Sequence, residues 1–326
     1  MLYRETVEAT RNSVEARGVA AERAAGRTAP PPRTASGRRL FVFGLGYTGL
    51  RFARALRGEG WRVAGTTTDP ARAAALAAEG IDVVRFDRAH PLPAEGLAAL
   101  ASADAVLVSV PPEEAGDPVL AVHGPHIAAA RGLRWLGYLS TTGVYGDRQG
   151  GWVDESSPLR PTGPRGARRV EAEAGWLGLW RAHGVPVHVF RLAGIYGPGR
   201  SALDAVRRGE ARRIVKPGQV FSRIHVDDLV AVLRASLARP RPGVVYNVCD
   251  DEPAPPEAVV EHACRLLGVP PPPAVPFEAA ALSPMARSFY ADSKRVSNAR
   301  IKTELGIRLR HPTYREGLAA ILAEAV

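Results

Sequence analysis

Two cysteines, Cys249 and Cys264, are all that the 326 residues contain. Their spacing suits neither a metal knuckle nor a disulfide framework, so no metal is expected and a reducing cytoplasm is the simplest setting. No apolar run reaches the roughly 18 residues that a membrane-spanning helix needs. The N-terminus lacks the apolar centre of a secretory leader, so no membrane partner is expected. Lysine is almost missing as well, and the basic charge is carried by arginine scattered along the chain. The net charge is +10, of which residues 1–39 supply 8 Arg − 4 Glu = +4. Aromatics make up 6% and are not interleaved with the basic residues, as a single-strand binder requires. A nucleic-acid partner is therefore not expected. What remains is ordinary for a globular protein, 46% hydrophobic and 23% charged. The length allows one large domain or two smaller ones with a sizeable core.

Residues 1–37 read as an extension outside the fold. They are rich in Ala, Arg and Glu and end in Ala29-Pro30-Pro31-Pro32. A helix near 4–24 would have only a thin apolar face, and disorder is the favoured reading. From Arg39 the pattern changes. Short apolar runs at Leu40–Phe43, Trp61–Thr66, Ile81–Val84, Ala105–Val110, Leu136–Ser140 and Val187–Phe190 alternate with helical patterns such as Thr48–Arg57 and Ala71–Ala78. Strands alternating with helices predict an α/β fold: a Rossmann doubly wound parallel sheet over about 38–200, covered on both faces and also receiving about 225–250. Residues 201–326 are expected to build most of a smaller C-terminal α+β lobe. The Pro-Gly turn within Ile214–Ile224 predicts a hairpin. Helices are expected over Asp227–Leu237, Pro256–Leu267, Asp292–Arg300 and Thr313–Glu324, a strand over Val244–Val248 and a proline-rich loop over 269–277. No internal repeat is present.

Gly44-Leu45-Gly46-Tyr47-Thr48-Gly49 follows an apolar strand and opens a helix. That context lifts a Gly-x-Gly-x-x-Gly match above chance. Gly44 allows the tight turn, Gly46 lets backbone approach a pyrophosphate, and Gly49 brings helix and strand together. The helix start then offers free N–H groups and a positive dipole end. Val110, ending the fourth strand, is placed in the same site. An NAD site usually carries Asp or Glu at the end of the second strand. Here Thr66-Thr67-Thr68 stand there, and Asp69 comes late, as a helix N-cap. Thr67, Thr68 and nearby Arg72 can accept a 2′-phosphate. NADP(H) is favoured, and NAD(H) returns as the alternative if the strand ends one residue later.

Four further segments follow in order: Leu139-Ser-Thr-Thr-Gly-Val-Tyr-Gly146, Arg191-Leu-Ala-Gly-Ile-Tyr-Gly-Pro-Gly199, Arg223-Ile-His-Val-Asp-Asp-Leu229 and Tyr246-Asn-Val-Cys-Asp-Asp-Glu-Pro253. With the glycine turn they resemble the extended short-chain dehydrogenase/reductase family, the NAD-dependent epimerase/dehydratase group, from about Arg39 to the C-terminus. The resemblance implies a Rossmann domain with a substrate lobe. It implies that Thr141 polarises the substrate oxygen, a task suited to a hydroxyl. The family's acid/base pair is Tyr-x-x-x-Lys at the start of the next long helix. Those positions hold Arg165 and Arg169, and no other Tyr-x-x-x-Lys occurs. Arg169 can still bind a ribose, but Arg165 cannot shuttle a proton, because guanidinium stays protonated in proteins. The chain thus resembles an atypical subgroup lacking the pair, which Leu282-Ser-Pro-Met-Ala-Arg-Ser-Phe-Tyr290 and Lys294-Arg-Val-Ser-Asn298 also match. Positions where nucleotide-sugar enzymes carry arginines hold Phe221 and Leu282, with Arg223 and Arg287 close by. A nucleotide sugar is less favoured than the family name implies.

Tyr145, on the Thr141 loop, and Tyr196 are the tyrosines that can replace the missing one. For both, aromatic loop packing is the plainer reading. Arg223, Arg287 and Tyr196 are the substrate-side candidates. Asp147, Asp154 and Glu155 fit a solvated loop better than proton transfer. Asp227 is expected to cap its helix, with His225 as a brace. His123 and His126 lie at i and i+3 on a helix and lack further ligands for a metal. The resulting expectation is an NAD(P)-dependent oxidoreductase or epimerase-like enzyme acting on a small polar carbonyl or alcohol. The competing one is a non-catalytic NAD(P)-binding redox sensor. The resemblance leaves a homodimer through the long helices open.

Overall fold

The apolar run that begins the fold shows why the sheet lies where it does. In β1 (Arg39–Phe43), Leu40 and Val42 point to one face and Phe41 and Phe43 to the other, and all four are buried. A strand buried on both faces needs a layer on each side. In this computed structural model the described residues are 37–324. The extension expected over 1–37, with its helix at 4–24, lies outside them apart from residue 37.

Seven parallel strands form the main sheet: β1, β2 (Arg62–Thr67), β3 (Asp82–Arg85), β4 (Ala105–Val108), β5 (Trp135–Thr141), then β7 (Val187–Leu192) and β11 (Val245–Val248), with β6 (Trp152–Val153) lying elsewhere. Their order across the sheet is β11-β7-β5-β4-β1-β2-β3. Helices α1 (Tyr47–Gly58), α2 (Pro70–Ala78), α3 (Ala94–Ala101), α4 (Pro118–Ala129), α5 (Pro164–His183), α6 (Ala202–Arg207), α7 (Val226–Ala238), α8 (Pro256–Leu267), α9 (Pro284–Phe289), α10 (Ala299–Leu305) and α11 (Tyr314–Glu324) complete the regular structure. One face of the sheet packs α1, α2, α7 and α10 through Phe52, Leu56, Leu76, Leu229 and Ile301. The other packs α3, α4 and α5 through Leu100, Ile127 and Trp176. Each such side chain contributes about 1.5–3 kcal/mol on burial. The doubly wound parallel fold expected from the alternation is the fold observed. Among the described residues, no helix is long and apolar enough to cross a membrane.

Residues 201–326 differ from expectation in three places, the first being that Ala274–Pro276, inside the proline-rich segment 269–277 expected to be a loop, forms a strand. No hairpin spans Ile214–Ile224. Instead β9 (Arg213–Val215) pairs in parallel with β12 (Ala274–Pro276), and β10 (Arg223–His225) pairs in parallel with β8 (Gly194–Tyr196). Ile224 joins the core beneath the main sheet while Ile214 is buried elsewhere, so the two three-residue strands serve different layers. Nor does a helix cover Asp292–Arg300: only its last two residues are helical, at the start of α10. Ser293 is drawn to Asp147 through its N–H (2.7 Å) and to the Gly218 carbonyl through its hydroxyl (3.0 Å). That holds the backbone extended, and β13 (Arg295–Val296) pairs with β6 (Trp152–Val153) before α10 begins.

Candidate functional site

Parallel strands direct their carboxyl ends, and the loops that follow, to one edge of the sheet, where ligands bind in such folds. The glycine turn sits there after β1. Gly44 has φ +88°, a conformation L side chains rarely adopt. A Cβ on it would lie 3.1 Å from Val110 Cγ2. A Cβ on Gly49 would lie 2.3 Å from the Gly44 carbonyl oxygen, so only glycine lets α1 start this close to β1. A Cβ on Gly46 would meet nothing within 4 Å. Gly46 is also the N-cap of α1 and contributes no capping side chain. The open space and uncapped N–H groups fit the pyrophosphate of a dinucleotide.

The residues around the turn divide into braces and free groups. Leu45 is buried, and its N–H donates to the Thr66 carbonyl (2.8 Å). The Thr66 hydroxyl accepts from Gly44 N–H (2.9 Å) and so shapes the turn. Thr48 is buried. Tyr47 lies between the guanidiniums of Arg51 (5.4 Å) and Arg200 (5.5 Å), and its hydroxyl donates to the Pro198 carbonyl (3.1 Å). β2 ends at Thr67, one residue later than expected, which returns NAD(H) as the alternative, while Asp69 itself caps α2, accepting from Ala71 and Arg72 N–H. Thr67 accepts from Asp69 N–H (3.2 Å), whereas Thr68 and Arg72 are exposed.

Thr141 ends β5 half-buried, and its Oγ accepts from Gly143 N–H (3.1 Å). Its hydroxyl proton is left to donate elsewhere. The Thr141 loop meets the first turn of α5, where a Cβ on Gly166 would lie 2.9 Å from the Gly143 carbonyl oxygen. Arg169 reaches back from that turn to the Leu139 carbonyl and the Tyr138 hydroxyl. Arg165 is exposed, its guanidinium 5.7 Å from the Phe289 ring centre. The first turn of α5 contains no acidic residue and its N-cap, Gly163, no capping side chain. Arg165 there opposes the helix dipole, by about 0.3–1 kcal/mol.

Tyr145 does not face this loop. It is fully buried, its hydroxyl donating to Asn247 Oδ1 (2.6 Å) and accepting from Arg191 Nη1 (2.9 Å). Burial pushes its hydroxyl pKa up. Arg191 in turn forms a buried ion pair with Glu173 (2.8 Å), which also accepts from Ser140. This network ties β5, α5, β7 and β11 together and was missed from sequence, although Arg191 opens a quoted motif. The loop carboxylates are structural too. Asp147 accepts from Ser293, Asp154 from Ser156 and Ser157, and Glu155 from Asn247 N–H.

The substrate-side candidates fall into two groups. Tyr196 donates to the Thr313 carbonyl (3.3 Å), and Arg223 Nη1 donates to the carbonyls of Phe221 (2.9 Å) and Ala254 (3.1 Å). With Arg200, Val259, Tyr314 and Leu318 they line a cavity of about 390 Å3. Burial raises the Tyr196 pKa. Arg287 lies apart, its guanidinium 5.0 Å over the Phe277 ring. Phe277 stacks on Tyr290, and Tyr290 meets Phe221 edge-on.

His225, not Asp227, caps α7, accepting from Asp227 N–H (3.3 Å). Asp227 pairs with Arg51 (2.9 Å). Behind it, Asp228 accepts from Arg310 N–H (2.7 Å), His311 N–H (2.9 Å) and His311 Nδ1 (2.9 Å). His225, Asp228 and His311 offer ligand atoms within 4.8 Å of one another, a group sequence reading did not find. The two imidazoles are tilted by 41° with centres 4.0 Å apart, and the bonds from Asp228 to His311 clasp the C-terminal segment to α7. Burial lowers the pKa of His225 to about 4. Burial likewise pushes the Asp250 carboxyl up to about 8, against the opposing pull of Arg223. His123 accepts from Leu92 N–H (3.2 Å) and packs on Phe43 and Phe86, a core role.

Comparison with known proteins agrees with this layout. The model of the NAD dependent epimerase/dehydratase family matches residues 40–249. Protein YeeZ of Escherichia coli (strain K12) is 30% identical over 254 residues, covering 72% of this chain and 86% of that protein. A 3-diazoavenalumate denitrifying reductase of Streptomyces sp is 32% identical over 179 residues, 51% of this chain and 58% of that protein. A functionally unknown conserved protein from Silicibacter pomeroyi DSS is similar in structure, with TM-score 0.82 and 52% identity over 88% of this chain and 99% of that one. The dTDP-glucose 4,6-dehydratase of Bacillus anthracis str. Ames, in complex with NAD, shares the fold at 18% identity and TM-score 0.71, over 88% of this chain and 96% of that one.

Proposed function

The chain belongs to the NAD dependent epimerase/dehydratase family, and on that premise we propose that it is an NADP(H)-dependent oxidoreductase acting on a small polar carbonyl or alcohol in the cytoplasm. The observation that carries this reading is the glycine turn, with Gly46 open and Gly49 closed, at the same sheet edge as a threonine hydroxyl whose proton is not spent on the loop.

When bound, a nicotinamide supplies or accepts the hydride. The N–H groups at the start of α1 hold the pyrophosphate, and Arg169 reaches the ribose side. Thr141 donates its hydroxyl proton to the substrate oxygen, which stabilises the charge that develops there. Arg165 stays protonated, and Tyr145 is sealed in the Arg191 network. Neither therefore delivers the proton that completes the alcohol. Water does so at the exposed mouth beside Arg165. Exposed Thr68 and Arg72 favour a 2′-phosphate, while Asp69 spends Oδ1 on the α2 cap. The name of the Streptomyces relative, a reductase, supports the direction of hydride transfer.

The test is a fluorescence titration with NADPH and NADH, followed by deuterated NADPH against a carbonyl panel. NADPH is expected to bind at least tenfold more tightly, with Arg72→Ala removing that preference. Label transfer to a carbonyl supports the enzyme. Arg165 in the tyrosine position favours one other reading, a cofactor-binding sensor. Tight binding without label transfer to any carbonyl selects it.

A further inference from the structure

We propose that the substrate is an anion with an aromatic or otherwise apolar body, its acid group held by Arg165 and Arg168 and its body lying against Phe289. This rests on the preceding reading for the place of the reaction and names the class of substrate. Arg165, Arg168 and Arg169 stand at i, i+3 and i+4, on one face of α5. Like charges at these spacings repel one another. Arg169 is committed to the Leu139 carbonyl and the Tyr138 hydroxyl. Among the described residues, no carboxylate lies within ion-pair distance of Arg165 or Arg168. Asp292, on the segment bonded to Thr162 just before the turn, is already paired with Lys294 (3.0 Å).

Beside this charge stands an apolar surface without a core to cover. Phe289 is 55% exposed and Met285 62% exposed, four residues apart on α9. The Phe289 ring is within stacking range of the Arg165 guanidinium, at 5.7 Å. Two guanidiniums match the oxygens of a carboxylate or phosphate bidentately, and a ring can lie on Phe289. Gly166, between Arg165 and Arg168, packs on the Thr141 loop. An acid group on this turn therefore lies on the helix end that packs against the Thr141 loop. A neutral sugar would use neither the charge nor the ring.

The test is calorimetric titration of the full chain, with and without NADPH. The probes are benzoylformate, its uncharged methyl ester, and phenyl phosphate. Benzoylformate or phenyl phosphate is expected to bind at least tenfold more tightly than the ester, and whichever anion is tighter assigns carboxylate or phosphate. Arg165→Ala and Arg168→Ala are expected to weaken that anion about tenfold, and Phe289→Ala several-fold. Arg165→Glu is expected to abolish anion binding yet raise the Tm of the free protein by about 1–3 °C, because it relieves the repulsion. A purely structural arginine would move Tm the other way. Equal binding of acid and ester, no binding of either anion, or indifference to Arg165→Ala overturns the proposal. NADPH affinity is read separately. Its absence would sink the cofactor reading and leave an arginine-dependent anion site standing.

Discussion

The glycine turn and the first turn of α5 stand at the same edge of the sheet, but they are held by opposite means. In the glycine turn, backbone meets backbone. Gly49 is closed against the Gly44 carbonyl, and the Thr66 hydroxyl braces Gly44. Little freedom remains for other side chains. On α5, the backbone is an ordinary helix start and three arginines decide what the surface can do. The first region is fixed by what cannot be added, the second by what has been put there. The cofactor end can therefore stay constant while the substrate end changes its chemistry.

The sharpest way to break this contrast is at the glycines. Gly49→Ala must push α1 away from β1, and cofactor affinity is expected to fall at least a hundredfold, with loss of folded protein on a CD melt. Gly46→Ala meets open space. It should melt within about a degree of the parent yet bind NADPH at least tenfold more weakly, as read by fluorescence. If both variants melt early, the turn is not divided as described.

Next in size is the buried network beneath both regions. Removing one partner of a buried ion pair costs about 3–5 kcal/mol. Arg191→Met is therefore expected to lower the denaturant midpoint strongly, and pairing it with Glu173→Met should recover part of the loss. A smaller effect is expected at Thr141. Thr141→Val should lower kcat about a hundredfold, the size of one lost oxyanion donor, with NADPH affinity unchanged.

The smallest effect is on stability against pH. His123, His188 and His225 are held near about 4 by burial. The unfolded chain therefore binds more protons between pH 4 and 6.5, and stability rises with pH across that window. Asp250, raised to about 8, acts in the opposite sense. The folded chain keeps its proton, and stability falls from about pH 4 to 8. Above pH 6.5 the three histidines add nothing further while Asp250 still counts against the fold, so a maximum near pH 6.5 is expected, with a decline on the order of 5 °C in Tm by pH 8. Asp250→Asn should flatten the decline.

The same contrast decides what could be read from the sequence. Gly44, Gly46 and Gly49 announce themselves because a backbone requirement leaves one residue type. The main sheet was legible from its buried runs. The pairing of β9 with β12 was not, because parallel partners lie far apart in sequence and a Pro-Gly turn imitates a hairpin. Tyr145 was a misplaced candidate. Sharing a loop with Thr141 says nothing about which way a ring points, and its partners Arg191 and Asn247 come from other strands. The clasp between Asp228 and His311 joins positions 83 apart, and no local pattern marks such a contact.

One feature of the sheet also bears on how the chain is made. β7 lies between β5 and β11, and β11 arrives only after β8, β9, β10 and α7. On a ribosome, β7 must wait as an open edge until residues 245–248 have emerged. Bare parallel edges attract foreign strands. Vectorial synthesis therefore leaves a window in which this protein is most exposed to chaperones and to aggregation. A pause in translation between β7 and β11 would lengthen that window, without altering the finished molecule.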